Sequence, residues 1–471
     1  MTASHIDPLT LLTPKRLDLM CKYRFFKEMA HGYVLHDTAE RYQNHILLRT
    51  GGKEPNDIWG HSHDKHSVDD FIVSAHRLFK SLKQNGFQED NPIPYFVDKQ
   101  LANGAHRLAA SLALNIPVYA EQIEHEHRPP VWDFKWFVDQ GFTLPDLLPL
   151  LYDYSALCHN RASVFVFYAP SEEHWPAFED KIAEQYDIVG AVTLDLPTPQ
   201  SMYELILDLY SHTTPHNIET PIGRKAEILS QAPLKLRVVL GDVKHYTDAQ
   251  SLHDAAKYTK QACRDLADKT LAKETYLSIH ASSSPTECLH MGQVLFSYNN
   301  LVHLVSRKTV PQRAEFLSWI ENSKATCVEH QIPHHKICIV GSSPLEIMGV
   351  RQSTDIDFTV TSDIRARFGD GITKLNDHND IVTNGYHRVT EGDSFTDDQL
   401  IAYPDLHFMF RGLKCANVQI VLERKSFSRR DKDVRDLQLY EEYITRDAEK
   451  FYVQDDFQTL YEREKQIRSQ S

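Results

Sequence analysis

Ile337-Cys338-Ile339-Val340-Gly341-Ser342-Ser343-Pro344-Leu345-Glu346-Ile347-Met348 leads, through Gly349-Val350, into Asp355-Ile356-Asp357-Phe358-Thr359-Val360. The pattern reads as strand, tight turn, short helix, turn and second strand. Residues i and i+2 of a strand project to one face, so Asp355 and Asp357 point together. Two neighbouring carboxylates are costly to bury unless a cation neutralises them, and a hard ion such as Mg²⁺ takes oxygen ligands. Gly341, Ser342 and Ser343 lead into a helix start, whose N–H groups suit a phosphate. A phosphate seat beside a metal-binding carboxylate pair is the apparatus of phosphoryl or nucleotidyl transfer.

Gly-Ser, a helix and then Asp-x-Asp on the next strand resembles the nucleotidyltransferase fold, over roughly the last third of the chain. That resemblance implies Mg²⁺ on Asp355 and Asp357, and a nucleoside triphosphate, ATP or CTP, seated at Gly341, Ser342 and Ser343. Farther on, Lys432-Asp433-Val434-Arg435-Asp436 is similar to the Lys-Asp-x-x-Asp stretch that follows the sheet in many members, and Lys432 would neutralise developing charge. The family carries a third carboxylate on a later strand. The equivalent strand expected here, Lys414 to Val421, offers Asn417 and Gln419, both neutral, with Asp405 and Glu423 only at the ends of its hairpin. Two acids suffice for one Mg²⁺ when substrate phosphates complete its shell.

Near the N-terminus, Ile93-Pro94-Tyr95-Phe96-Val97 precedes Asn103-Gly104-Ala105-His106-Arg107, a helical run to Leu114, and Ile116 to Ala120. This is strand, turn, helix, strand, with an anion-favouring helix start beside Arg107. It resembles the ParB/sulfiredoxin superfamily and its Asp-Gly-x-His-Arg turn, over roughly residues 60–125, with Asn103 standing where the acid is usual. The resemblance implies nucleotide contacts from Asn103, Gly104, His106 and Arg107, and it admits a small-molecule kinase at this turn. His61, His63 and His66 have a ligand-like spacing, but no cysteine or acid joins them at ligand spacing, so they read as a solvated loop.

At 471 residues the chain has room for about three domains of roughly 150 residues. The boundaries expected are 1–155 for the ParB/sulfiredoxin-like part, 160–328 for an α/β layered domain and 329–471 for the nucleotidyltransferase-like part. A formal net charge of −14 argues against nucleic acid as a partner. No apolar run reaches the ~20 residues that span a bilayer, and no secretory signal opens the chain. Seven singly spaced cysteines fit a reducing compartment, so a cytoplasmic protein is expected.

Between 160 and 330, Ser163 to Tyr168, Ile188 to Leu194, Leu236 to Leu240 and Tyr276 to His280 read as strands alternating with helices, which argues a layered domain with a mainly parallel sheet. Ser284-Pro285-Thr286-Glu287 is a helix-start signal. His280 and Ser282 beside it, with Gln419, are the substrate-binding candidates. Lys257, Lys260 and Arg264 share one helix face, by default solvated.

The fold class expected is therefore α/β and α+β, multidomain, ending in a nucleotidyltransferase-like mixed sheet. The activity expected is Mg²⁺-dependent nucleotidyl or phosphoryl transfer from a nucleoside triphosphate. The two modules together resemble bacterial surface-polysaccharide gene products, which implies a sugar, polyol or glycan acceptor. The competing expectations are the kinase above and a nucleotide-binding scaffold without turnover.

Overall fold

The structure is a computed structural model that describes residues 3–32, 34–51, 67–124, 130–211, 220–306, 313–369, 371–383, 386–388 and 394–447. His61, His63 and His66 lie outside the described residues. The fold is mixed α/β. It divides into two compact units, Met1–Leu194 with Lys235–Tyr298, and Asp195–Leu234 with Asn299–Ser471. These limits differ from the three stretches expected. The helix pair Pro199–Tyr210 and Pro221–Gln231 belongs to the second unit, although the strands flanking it in sequence belong to the first. Among the described residues no helix is long and apolar enough to cross a membrane, and all seven cysteines are buried and unpaired.

In the first unit, β1 (Ser4–Ile6), β2 (Ile93–Tyr95) and β3 (Val118–Gln122) form a sheet in the order β1-β3-β2. β2 runs parallel to β3 and β1 antiparallel to it. The strand, turn, helix and strand expected from Ile93 onward are all present. Gly104 at φ +85° turns the chain into helix Ala105–Leu114, and Asn115 at φ 53° ends it. Both positions are left-handed, the region glycine and asparagine tolerate best. The unit also contains a buried ionic set: Arg16 Nε at 2.8 Å and Lys22 Nζ at 2.6 Å both donate to the fully buried Asp18 carboxylate.

The second sheet of this unit contains β4 (Ala162–Tyr168), β5 (Tyr186–Asp195), β6 (Lys235–Val243) and β7 (Ile279–Ala281), in the order β5-β6-β4-β7. Phe165, Phe167, Val239 and Ile279 pack against Phe178 and Ile182 of helix Trp175–Gln185 and against Leu252 and Cys263 of helix Ala249–Leu271. The mainly parallel sheet expected here is corrected: β4 is antiparallel to both β6 and β7. Alternation along a sequence counts strands and helices but does not give the direction in which each strand re-enters the sheet.

The second unit carries β8 (Ile337–Val340), β9 (Ile356–Val360), β10 (Gly371–Lys374), β11 (Asn379–Thr383), a separate ribbon of β12 (Tyr386–Arg388) with β13 (Ser394–Thr396), and β14 (His407–Phe410) with β15 (Leu413–Ala416). Six of these make one mixed sheet, β10-β11-β9-β8-β15-β14. β11 is parallel to β9, β9 antiparallel to β8, and β8 parallel to β15. The strand expected from Lys414 to Val421 stops at Ala416. Asn417 then caps helix Val418–Ser428, its side chain accepting the Gln419 N–H at 2.9 Å. The capping bond satisfies a first-turn donor that a strand would leave to a neighbour.

His45 makes the first unit acid-sensitive. It is fully buried, and neither ring nitrogen has a hydrogen-bond partner. It stacks on Phe137 and meets Trp132 and Trp136 edge-on. Burial, then Lys22, hold its pKa well below the ordinary range against the pull of Asp18, with Arg49 and His106 adding to the depression. The unfolded chain binds the proton near pH 6.5 and the native chain does not. Stability is therefore complete above that pH and lost as the pH falls below it. His45→Leu should reduce the fall in melting temperature between pH 7.5 and 5.5 by about 2–4 °C, the equivalent of roughly 1 kcal/mol. An unchanged pH slope would refute this.

Candidate active site

The site of interest lies in the second unit, at the ends of β8, β9 and β11. β8 delivers Gly341 directly after Val340, whose register partner on β9 is Asp357. Asp355 sits just before β9, two residues from Asp357. β11 places Asp380 opposite Asp357 in a parallel ladder. Three carboxylates thus gather where two were expected. The third comes from a strand on the far side of β9 from β15, where the sequence was searched for it. Its local signal was weak: Asn379-Asp380-Ile381-Val382 follows a run of turn-forming residues and reads as the edge of a loop.

Gly341 has φ +71°, and a Cβ built there would lie 2.5 Å from Asp357 Oδ2. Only glycine lets the turn pass so close to the carboxylate. The serine hydroxyls expected to meet phosphate are used within the fold. Ser342 Oγ is 2.9 Å from Ser353 Oγ, and Ser343 Oγ donates to the Asp355 carbonyl at 3.0 Å. What the turn offers a ligand is backbone.

Burial, with Asp355 and then Asp380 adding like charge, pushes the Asp357 pKa up to about 6, while Lys432 and Arg424 pull it down. Asp380 Oδ1 is buried without a hydrogen-bond partner. Among the described residues none of these three carboxylates is in an ion pair, and neither the Arg424 nor the Lys432 side chain is in an ion pair or hydrogen bond. Arg424 is half-buried on helix Val418–Ser428, and Lys432 is exposed on helix Asp431–Asp447. Burial lowers the pKa of Arg424 against the pull of Asp397 and Asp357. The two acids of the same stretch, Asp433 and Asp436, face elsewhere. Asp433 accepts from Ser428 Oγ and Arg430 Nε, each at 2.6 Å, while Asp436 accepts from a terminal nitrogen of Arg351 at 3.1 Å and is in an ion pair with Lys425 Nζ at 2.7 Å.

The remaining sequence candidates are not gathered here. Gln419, exposed, donates to Glu423 at 3.0 Å along its own helix. In the first unit, His106 Nε2 is 2.8 Å from Tyr42 Oη, inside a cluster with Phe26 and Phe71. Arg107 donates to the Asn91 carbonyl, and Asn103 accepts the Gly104 N–H at 2.7 Å. His280 Nε2 lies 3.1 Å from Glu287, and buried Ser282 accepts the Val164 N–H at 2.8 Å. The helix start at Ser284 is as expected, with Glu287 N–H donating to its hydroxyl at 3.2 Å. A shallow groove of about 430 Å³ lined by Val243, His245, Asp254 and Tyr258 belongs to the first unit and contains none of these groups.

Among the described residues no three His, Cys, Asp or Glu side chains converge closely enough to enclose a metal by themselves. A paired carboxylate site that leaves other positions to phosphate oxygens still fits Mg²⁺. Comparison with protein-family models, curated proteins and solved structures returns no match to this chain.

The raised pKa of Asp357 carries a stability signature. The native carboxyl keeps its proton up to about pH 6, whereas an unfolded one releases it near pH 4. The associated stability is present below about pH 4 and lost as the pH rises through about 6. Without added metal, Asp357→Asn should therefore raise the melting temperature by about 2–4 °C at pH 7.5 and have little effect at pH 4.5. Equal effects at both pH values would contradict the assignment.

Proposed function

We propose that the second unit is a Mg²⁺-dependent nucleotidyl- or phosphotransferase site that takes a nucleoside triphosphate, ATP or CTP. The observation that supports this reading best is a pattern of charges. Asp357, with Asp355 and Asp380 adding like charge beside it, lies in the electrostatic reach of Arg424 and Lys432, yet among the described residues no ion pair closes between these carboxylates and the two cations. Opposite charges held apart in this way suit a ligand that brings both a cation and an anion. A magnesium–polyphosphate complex is such a ligand.

Asp355 and Asp357 would hold Mg²⁺, which supplies Lewis-acid stabilisation of charge on the transferring phosphoryl group. Asp380, with a buried oxygen lacking a partner, is suited to accept the proton of an attacking hydroxyl. Arg424 and Lys432 would neutralise the phosphates, and the backbone at Gly341 and Ser342 would seat them. The acceptor class, a sugar, polyol or glycan intermediate of surface-polysaccharide synthesis, comes from the resemblance of the two modules alone. The kinase alternative at the ParB/sulfiredoxin-like turn is less favoured, because His106 and Arg107 already have partners within the fold.

ATP or CTP with Mg²⁺ should raise the melting temperature, since saturation at 100 times Kd adds about 2.7 kcal/mol. The shift should grow as the pH rises through about 6, where Asp357 ionises. Asp355→Ala or Asp357→Ala should abolish it, and Arg424→Ala should weaken it. His106→Ala with Arg107→Ala should leave it intact. Loss of the shift only in the His106/Arg107 variant would move the chemistry to the first unit.

A further inference from the structure

Arg313, at the N-cap of helix Ala314–Glu329, connects stretches that deliver separate parts of the site. Its Nε donates to Glu346 Oε1 at 2.8 Å, and one terminal nitrogen donates to Glu346 Oε2 at 3.0 Å and to the Ser353 carbonyl at 2.8 Å. Glu346 is a buried carboxylate on helix Ser343–Ile347, the helix that the Gly-Ser turn opens, and it also accepts the Ser353 N–H at 2.5 Å. Ser353 in turn donates its hydroxyl to the Asp355 carbonyl at 2.7 Å. The same guanidinium lies 5.4 Å over the Trp319 ring, and Trp319 stacks on His378 at 4.8 Å with an interplanar angle of 20°. The His378 carbonyl accepts the Ile356 N–H at 2.8 Å, and His378 is two residues before Asp380.

One side chain therefore ties together the Gly341 turn, the approach to Asp355 and the start of the strand that carries Asp380. Such a tie has work to do, because like-charged carboxylates on separate stretches drive those stretches apart. A two-pronged guanidinium–carboxylate pair fixes direction as well as distance, and a lysine ammonium cannot reproduce that fork. We propose that Arg313 is a positioning residue that, with Glu346, holds the stretches carrying Asp355, Asp357 and Asp380 in register before any cation arrives. The inference rests on reading Asp355 and Asp357 as a cation site.

The test uses the full chain and Mn²⁺, which shares the oxygen-ligand preference of Mg²⁺ and can be followed by electron paramagnetic resonance, with and without ATP. Arg313→Lys and Glu346→Gln should each weaken Mn²⁺ binding by about tenfold or more, the usual effect of losing support behind a metal ligand. The double variant should be little worse than either single one, because both remove the same fork. Phe178→Leu, a core change in the first unit, serves as the control for lost stability and should leave Mn²⁺ affinity unchanged. Trp319→Phe, a milder change, tests the arm toward His378 should Arg313→Lys fail to fold, and should weaken Mn²⁺ binding in the same direction. Wild-type affinity in Glu346→Gln and in the folded Arg313 or Trp319 variant would overturn the positioning role alone. Absence of Mn²⁺ binding by the wild-type chain would remove the cation site, and this role with it.

Discussion

The parallel ladder that sets Asp380 beside Asp357, with Asp355 one step away along the chain, is the constraint around which the second unit is arranged. Like charges at this range resist each other, and the proton that Asp357 keeps up to about pH 6 reflects that resistance together with burial. The simplest relief would be an arginine or lysine folded down onto the carboxylates. Three nearby cations are tied elsewhere. Lys425, Arg430 and Arg351 are held by Asp433 and Asp436, two acids a single helical turn apart on the inner face of helix Asp431–Asp447. Against the upward pull of burial, hydrogen bonds from Arg430 and Ser428 and the Lys425 ammonium keep Asp433 well below the usual carboxylate range, so that it stays a firm anchor. Arg424 and Lys432 then remain near the acidic set without closing on it.

The first unit uses the same residue types to the opposite end. Asp18 is closed by Arg16 and Lys22, and Asp242 by Tyr154 at 2.6 Å and Arg161 at 3.1 Å. Buried charge that is fully paired specifies packing and leaves little for a ligand. His106 follows the same rule: a histidine at a helix start, beside an arginine, has its ring bonded to Tyr42. A cationic helix start in sequence does not establish a phosphate site until the partners of its side chains are known.

What the sequence made legible was local. Period-two alternation, glycine at the turn and the proline at the helix start placed β8, the short helix and β9 correctly, because those signals lie within about twenty residues of one another. The same holds for β2, Gly104, helix Ala105–Leu114 and β3. What stayed hidden was made by pairing at a distance. Asp380 acquires its meaning only when β11 lies down parallel to β9, and Tyr42 meets His106 across 64 residues of chain. The strand expected through Val421 ended early for a different reason. Val418 to Val421 is rich in β-formers, but Asn417 caps a helix there, and the cap outweighs the propensity.

The division of tasks at the Gly341 turn follows from the same electrostatics. Hydroxyls are neutral donors, so Ser343 and Ser353 can hold the Asp355 carbonyl, and Ser342 can hold Ser353, without drawing on any charge the site needs. The ionic tie of Arg313 with Glu346 is self-neutralising. Had a lysine or arginine stood in place of those serines, it would have quenched the carboxylates it was meant to position. A scaffold of neutral hydrogen bonds with the Arg313–Glu346 pair beside it is thus an arrangement that leaves Asp355, Asp357 and Asp380 outside any ion pair among the described residues. That combination has a cost, which burial and the like charge of Asp355 and Asp380 register in the raised pKa of Asp357.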